Sequence, residues 1–218
     1  MTGLSSSPRL LKGGLVLVSP ESGAVGRIVT LQYNPDSLSR TLQIQGVGGE
    51  GDRSEALRLK GPPVETIKLE AEIDATDQLE FPDSNAATVA LGIHPQLAAL
   101  EAIAYPSAAS LLLNNILAMV GTIEILPMET ALTLFVWSAQ RILPVRLTEF
   151  SVTEEAFDPA LNPIRAKVSL GMRVLSVDDL GFAHKGGSLF MAYLRAKEQL
   201  VRKAPAMALS NLGIGAIP

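Results

Sequence analysis

The stretch that decides the fold runs from Leu134 to Leu175 and reads LFVWSAQRILPVRLTEFSVTEEAFDPALNPIRAKVSLGMRVL. It contains three runs rich in Val, Ile, Leu, Thr and Phe, separated by two polar breaks, the second of which carries proline. This spacing is typical of consecutive antiparallel strands, which we predict at 131–137, 141–152 and 164–177. Apart from the acidic residues at 154–158, which are considered below, no residue pattern within the stretch indicates a catalytic or metal site.

Earlier in the chain, residues 64–76 alternate more regularly than any other segment. Ile67, Leu69, Ala71, Ile73 and Ala75 share one face, and Thr66, Lys68, Glu70, Glu72 and Asp74 share the other. The predicted strand at 164–177 likewise has one apolar face, and its wet face carries Arg165, Lys167 and Arg173. If the two strands are neighbours, acidic and basic side chains complement each other at a few tenths of a kcal/mol per exposed pair.

Two further strands are predicted near the N-terminus, at 27–33 and 38–45, and we expect the second to pair with the first. A helix is predicted from His94 to Pro106, because Pro95 suits a first helical turn and Pro106 stops the helix. Another is predicted from Leu189 to Lys203, with Ser188 as its N-cap. Residues 111–113 and 116–120 fit either strand or helix, and 121–127 fits a short strand that ends in proline. The chain is therefore predicted to be mainly β with one or two flanking helices.

Three segments follow from this organisation. Residues 1–26 form an N-terminal arm and a first short strand, 27–185 form a β domain with an inserted helix near 95–105, and 186–218 form a C-terminal helix and tail. Residues 1–9 and 204–218 are predicted to be disordered unless a partner orders them. The glycine-rich loop at 46–59 is predicted to be a long surface loop, either functional or ordered by contact with a partner.

The composition favours an assembly over a free monomer. The chain has 218 residues, of which 47% are hydrophobic and only 18% charged. A small domain exposed on all sides normally carries more charge. Part of this surface is therefore expected to be covered by a partner.

Charge and cysteine content exclude several classes of function. The net charge is −4 and the basic residues are scattered, so nucleic-acid binding is not expected. The chain has no cysteine, which excludes disulfides, thiolate metal sites and cysteine nucleophiles. With only His94 and His184 available, ninety positions apart, a histidine metal site is not expected either, and we predict no cofactor.

Residues 1–9 lack the pattern of a secretory signal, which predicts synthesis in the cytoplasm. The most apolar window, 111–120, is interrupted by Asn114 and Asn115 and is shorter than the roughly 20 residues that span a bilayer. Direct membrane insertion is therefore not expected.

The acidic residues Glu154, Glu155 and Asp158 are the strongest candidates for acid or base catalysis. They follow the predicted strand end and precede two prolines, so we interpret them as a solvated turn. No nucleophile elbow accompanies the serines, and the glycines at 46–51 open no helix and fail the dinucleotide-loop test. Non-enzymatic function is favoured, with a small β-rich hydrolase using Glu154 or Asp158 as the least favoured alternative.

Aromatic residues supply the candidate anchors. Trp137 lies at a predicted strand end beside Arg141, where a core or interface anchor is a better interpretation than a ligand platform. We predict Phe157 to be a buried anchor of the same kind.

Several segments in a fixed order carry a resemblance to a known family. They are LQYNP (31–35), GPPVETIKL (61–69), PQLAALEAIAYP (95–106), FVW (135–137) with RILPVR (141–146), and NPIRA (162–166). Together they resemble the contractile injection system tube protein family of phage-tail-like bacterial particles, over about residues 27–203.

The resemblance implies a structural component that joins the inner tube to the baseplate or spike. It implies a β-barrel or sandwich of phage tail-tube type, repeated as a hexameric ring that contacts tube, spike or hub, and baseplate proteins. Assembly would occur in the bacterial cytoplasm, in a particle that can be released. A tail-tube or baseplate protein of a contractile-tailed phage is the alternative. Arg146 and Arg165 are our candidates for contacts between subunits, and Arg141 is a further candidate for a core or interface anchor.

Overall fold

The computed structural model describes residues 11–46, 57–119, 130–205 and 209–217. These residues form seven strands and six α-helices, so the predicted mainly β class with flanking helices is confirmed. The strands are β1 (Gly14–Val18), β2 (Val25–Thr30), β3 (Leu38–Gln43), β4 (Val64–Asp74), β5 (Leu132–Ser138), β6 (Arg141–Phe157) and β7 (Pro163–Val174). The helices are α1 (Thr76–Leu79), α2 (Ala86–Leu91), α3 (His94–Glu101), α4 (Ala108–Met119), α5 (Val177–Leu180) and α6 (Lys185–Val201).

All seven strands belong to one antiparallel sheet, in the order β2-β1-β5-β6-β7-β4-β3. The three strands of the deciding stretch lie side by side, as their spacing predicts. β1, which we assigned to the N-terminal arm, lies between β2 and β5 and belongs to the same sheet.

The predicted pairing of the strands at 27–33 and 38–45 is wrong. β2 and β3 lie at opposite ends of the strand order, and β3 pairs with β4 in a register that sets Leu38 opposite Leu69. The connection at 31–37 contains Asn34-Pro35-Asp36 and is longer than the two-residue turn of a tight hairpin. It carries the chain from one sheet edge to the other.

The sheet is curled, as shown by contacts between the residues just after β2 and the end of β4. The Gln32 side chain donates a hydrogen bond from Nε2 to the Asp74 carbonyl (2.6 Å) and accepts one at Oε1 from the Asp74 N–H (3.0 Å). Side chains of β2, β3, β4, β6 and β7 accordingly meet in one hydrophobic cluster together with those of α3 and α6.

The alternation of β4 and β7 fixes which face is buried. All five predicted apolar residues between Ile67 and Ala75 are buried, as are the alternate residues of β7 from Ala166 to Val174. A smaller cluster of Val18, Leu132 and Leu134 lies on the opposite face of β1 and β5, under α5 and α6. This part of the sheet is therefore covered on both faces.

β6 is longer than predicted and β7 is shorter. β6 continues to Phe157, so Glu154 and Glu155 lie in a strand and the predicted turn at these residues is wrong. Two register shifts near Ala156 accommodate the acids, and Lys167 compensates the charge of Glu155.

The predicted continuation of β7 to residue 177 is also wrong. Ser176 forms a capping box that starts α5 instead: its hydroxyl accepts from the Asp178 N–H (3.1 Å), and the Asp179 carboxylate accepts from the Ser176 N–H (2.9 Å).

The inserted helix begins where predicted, as α3, but it ends at Glu101 and residues 102–104 form turns, so the predicted stop at Pro106 is wrong. α4 shows that residues 108–119 are helical. α6 begins at Lys185, earlier than predicted, and its N-cap is His184, whose Nδ1 accepts from the Gly186 N–H at 3.0 Å. The predicted N-cap, Ser188, instead donates to the Lys185 carbonyl. Gly187 permits the early start, since a Cβ there would collide with the Gly181 carbonyl.

Several sequence predictions fall wholly or partly outside the described residues. They concern the arm at 1–9, most of the loop at 46–59, residues 120–129, and the tail at 206–208 and 218. Gly46 and Leu59, at the two ends of the loop, pair as an isolated bridge, and Leu209–Leu212 form a short 3-10 helix. Among the described helices, none is both long enough and apolar enough to cross a membrane.

Candidate interaction surface

One face of β4, β6 and β7 carries ten charged side chains of both signs, and we call it the charged face. β4 and β7 are neighbours, as required for the predicted complementarity, and their register sets Glu72 opposite Lys167 and Asp74 opposite Arg165. The charged face consists of Lys68, Glu70, Glu72, Asp74, Arg146, Glu149, Glu155, Arg165, Lys167 and Arg173. Acids and bases are balanced across it, so it presents no net sign that would attract a polyanion.

Three ion pairs cross between strands on the charged face. Lys68 Nζ lies 2.6 Å from Glu149 Oε2, Lys167 Nζ lies 2.9 Å from Glu155 Oε1, and Arg165 Nε lies 3.8 Å from Asp74 Oδ2. Most of these side chains are well exposed, so each pair contributes roughly 0.2–1 kcal/mol. Their main effect is to keep this face hydrated and close to neutral.

Two pKa values follow from these contacts. The hydrogen bond to Glu155 and the negative charges of Glu155, Glu70 and Glu72 raise the pKa of Lys167. The Thr76 hydroxyl, with the Thr76 N–H and the Arg165 charge, lowers the pKa of Asp74. Both shifts favour the charged forms, so the pattern of the face persists through neutral pH.

The surface of α4 has the opposite character. Its sequence is AASLLLNNILAM, and none of its residues is buried. Its large apolar side chains are between 42% and 80% exposed: Leu111, Leu112, Leu113, Ile116, Leu117 and Met119. A helix that is apolar on most sides is normally buried. Covering these side chains would stabilise an assembly by several kcal/mol, since a fully buried Leu contributes about 1.5–3 kcal/mol.

The two edge strands are also uncovered. Within the described ranges, β2 pairs with β1 alone and β3 with β4 alone, so each has one edge without a partner strand among these residues. Val25, Ile28, Leu42 and Ile44 in or beside these strands are 45–73% exposed. Exposed apolar edges are templates for pairing with another chain.

An apolar groove of about 510 Å³ lies between the end of α3 and the start of α6. Its apolar walls include Ile103, Ala131, Leu132, Val145, Leu147 and Leu175, and Arg146 and His184 add polar groups. Ile103 precedes α4 in the chain and Ala131 follows it, so the groove lies where the segment containing α4 leaves the body and returns.

A buried ionic cluster fixes α6 to the sheet. Glu65 is only 4% exposed, and its carboxylate accepts from Arg40 Nε at 2.7 Å, from the Tyr193 hydroxyl at 3.4 Å and from Lys197 Nζ at 3.4 Å. Lys197 also lies 4.2 Å from the centre of the Tyr193 ring. The sequence analysis missed this cluster, although the period of two places Glu65 on the apolar face with Ile67.

The five predicted anchor and contact residues lie in different environments. Trp137 is half-buried, packs against the main core and stacks on Phe135 with ring centres 5.9 Å apart. Phe157 is 50% exposed, because it lies at the end of β6. The prediction that it is buried in the isolated chain is therefore wrong. A role for Phe157 at an interface stays a prediction.

The three arginines are not clustered. Arg141 lies at the β5–β6 turn, opposite Ser138. Arg146 lies opposite Arg173 and at the apolar groove, and Arg165 lies opposite Asp74. Arg146 is thus the predicted contact residue closest to uncovered apolar surface.

Two of the three candidate catalytic acids, Asp158 and Glu155, have structural partners. Asp158 Oδ1 accepts from the N–H groups of Ala160 and Asn162, and Oδ2 accepts from the Asn162 side chain, all at 2.8 Å. These bonds, led by that from the Asn162 side chain, lower the pKa of Asp158 and hold the β6–β7 turn. In the described ranges, no group of three or more His, Cys, Asp or Glu residues could hold a metal ion.

No protein-family model and no curated protein matches the chain. Several chains in solved structures are similar to it, and two are described here. One is a chain from the tail of an empty gene transfer agent particle, computed with helical refinement and C6 symmetry. Its sequence identity is 11% and its TM-score 0.30, and the match covers 75% of this chain and 90% of that chain. The other, from the virion of a native gene transfer agent particle, has 10% identity, a TM-score of 0.27, and coverage of 74% and 90%. Likeness at these TM-scores assigns neither a fold nor a function to this chain.

Proposed function

We propose that the chain is a ring-forming structural component of a phage-tail-like contractile injection particle, and that its ring joins the inner tube to the baseplate or spike. The observation that carries the proposal is the division of its surface. The charged face is balanced and suited to water, whereas α4 exposes a continuous apolar surface with no buried residue.

A ring accounts for both surfaces. When identical subunits make head-to-tail contacts that close, every copy covers the same two patches, one on each side. The apolar helix, the apolar groove and the free strand edges would then lie between copies, while the charged face stays in contact with water along a channel. The low charge of the chain agrees with such covered surface.

The proposed role requires no catalytic group. Two of the three candidate catalytic acids have structural roles in the described chain: Asp158 holds a turn and Glu155 pairs with Lys167. Function would reside in the shape of the ring, which sets the register on which tube subunits stack.

Labelling the protein inside its particle tests the proposal. The described tail residues 209–217 are exposed, so a short C-terminal tag should remain accessible to gold-labelled antibody. Electron micrographs should show label at the junction of tube and baseplate, with particles from the untagged strain as the control. Label along the whole tube, or particles that lack the protein, would contradict the adaptor role.

A further inference from the structure

The exposed helix α4 and the apolar groove are two unsatisfied surfaces of the same molecule. We propose that α4 of one copy docks in the apolar groove of the next copy, which makes this contact the repeated joint of the ring. The inference deepens the proposed function and rests on it, because it names the surfaces through which copies meet.

α4 presents a defined stripe for docking. At 100° per residue, Leu112, Leu113, Ile116, Leu117 and Met119 fall on one side of the helix. Ala118 faces almost directly away from the centre of this stripe. Such spacing is the pattern by which an amphipathic helix enters a hydrophobic groove.

The groove has suitable size and lining. A cavity of about 150 Å³ lined by apolar side chains holds benzene, so about 510 Å³ accommodates roughly three groups of that size. Most of its wall is apolar, and Arg146 supplies a polar group for the rim. The helix carries no charged side chain, so docking would bury no charge from α4.

A second copy is the occupant that the geometry favours. α4 does not occupy its own groove, since its side chains are exposed, and only residues 105–107 separate it from the groove residue Ala104. The 12-residue helix is about 18 Å long. It therefore starts within a few residues of its own groove and is long enough to reach a groove on another copy.

The contact area points to a closed ring instead of an isolated pair. Half the wall of a cylinder about 18 Å long and 10–12 Å wide covers roughly 300 Å². A stable pair buries about 800 Å² on each partner. One docked helix is therefore too small to hold a dimer, but in a closed ring every copy makes the contact twice, once with its helix and once with its groove.

Mixed single-cysteine variants test the contact, and the absence of native cysteine makes the experiment clean. Ile116→Cys places a thiol on the stripe, Ala131→Cys places one at the groove, and Ala118→Cys is the matched control on the far side of α4. Full-length variants are mixed, allowed to assemble and treated with a short bis-maleimide cross-linker. Because each molecule carries one thiol, a product joining the two variants reports contact between copies.

We expect the mixture of Ile116→Cys and Ala131→Cys to give about tenfold more mixed dimer than the mixture of Ala118→Cys and Ala131→Cys. Equal yields from both mixtures would overturn the inference. So would efficient cross-linking within a monomer of the Ile116→Cys/Ala131→Cys double variant without mixed dimer, because α4 would then lie in its own groove. Circular dichroism of each variant confirms that it is folded.

The outcome separates this inference from the proposed function. Rings visible by electron microscopy without the mixed dimer would remove the α4 contact and leave the ring-forming role. A mixed dimer without any closed ring would keep the α4 contact and remove the ring-forming role.

Discussion

The side-chain amide of Gln32 pairs with both backbone groups of Asp74, donating to the carbonyl at 2.6 Å and accepting from the N–H at 3.0 Å. The amide thus makes the two backbone hydrogen bonds that a neighbouring strand would make at the end of β4. It joins the chain that leaves β2 to the strand beside β3, and so it holds the two ends of the strand order together.

Replacing Gln32 by alanine should therefore weaken the curl of the sheet. Two hydrogen bonds are lost and two partly buried backbone groups lose their partners, which should lower the free energy of unfolding by about 1–3 kcal/mol. Urea unfolding measures the change. Gln43→Ala on the exposed edge strand β3 is the control and should stay within about 0.5 kcal/mol of the wild type. Equal effects of the two variants would show that the amide does not close the sheet.

The ionic cluster at Glu65 predicts a contrast between two cation-to-methionine variants. Arg40→Met leaves the buried Glu65 carboxylate with weaker contacts to Tyr193 and Lys197, and should cost about 2–4 kcal/mol. Lys68→Met removes an exposed pair with Glu149 and should cost less than about 1 kcal/mol. Denaturant unfolding of both variants checks the ranking, and the reverse order would mean that Glu65 is not held as described.

The two aromatic residues at strand ends should differ in their effect on folding. Trp137→Ala removes a ring that packs on the core and on Phe135, so the isolated chain should lose about 2–4 kcal/mol. Phe157→Ala should lose only about 1 kcal/mol, because half of that side chain is already in solvent. Thermal unfolding of the two variants measures the difference. A large loss for Phe157→Ala would mean that Phe157 packs more deeply than its exposure indicates.

The Asp158 turn predicts a specific response to acid. Because the Asn162 side chain and nearby N–H groups lower the pKa of Asp158 in the folded chain, the unfolded chain binds this proton first as pH falls. The stabilisation is present above the unfolded pKa and is lost as pH falls through the folded pKa. Melting temperatures measured from about pH 6 to about pH 2 should therefore depend less on pH in Asn162→Ala than in wild type. Asn115→Ala should keep the wild-type pH dependence, and identical profiles for all three proteins would contradict this account of the turn.

Charge reversal at Arg146 should separate folding from assembly. Arg146 lies opposite Arg173, so Arg146→Glu creates a cross-strand pair of opposite charge and should leave the melting temperature unchanged or slightly raised. The same change alters the apolar groove and should weaken ring formation. Arg165→Glu should also weaken it, with loss of one exposed pair to Asp74. Arg58→Glu carries the same change in net charge, and assembly by all three variants equal to wild type would remove both arginines as contacts.

The alternation of apolar and polar residues predicts much of this fold, but it does not predict which distant strands pair. The period of two in β4 and β7 correctly assigns their buried faces and anticipates their neighbouring charges, because each face is set within one strand. The partner of β3 is not set locally. It depends on the segment at 31–37, which leads from β2 at one end of the strand order to β3 at the other. The contact between Gln32 and Asp74, which holds these two ends together, cannot be predicted from local sequence.

For the ionic cluster and the helices, too, local features are predictable from sequence and contacts between distant residues are not. Glu65 was predictable from its position in the alternation, since it shares the face of Ile67, but its partners Arg40 and Lys197 are distant in sequence. The early start of α6 was hidden by Gly186 and Gly187, which ordinarily argue against a helix and are needed here for close packing. The exposure of α4 also escaped prediction, because an apolar helix usually indicates a core.

The central claim is that copies of this chain close into a ring, and the assembly state of the purified full-length protein tests it most directly. Native mass spectrometry across a range of protein concentrations should show one closed species of fixed copy number, a hexamer on the present account, which persists on dilution further than a pair held by one such contact would. A chain that stays a folded, monodisperse monomer at every concentration would contradict the claim.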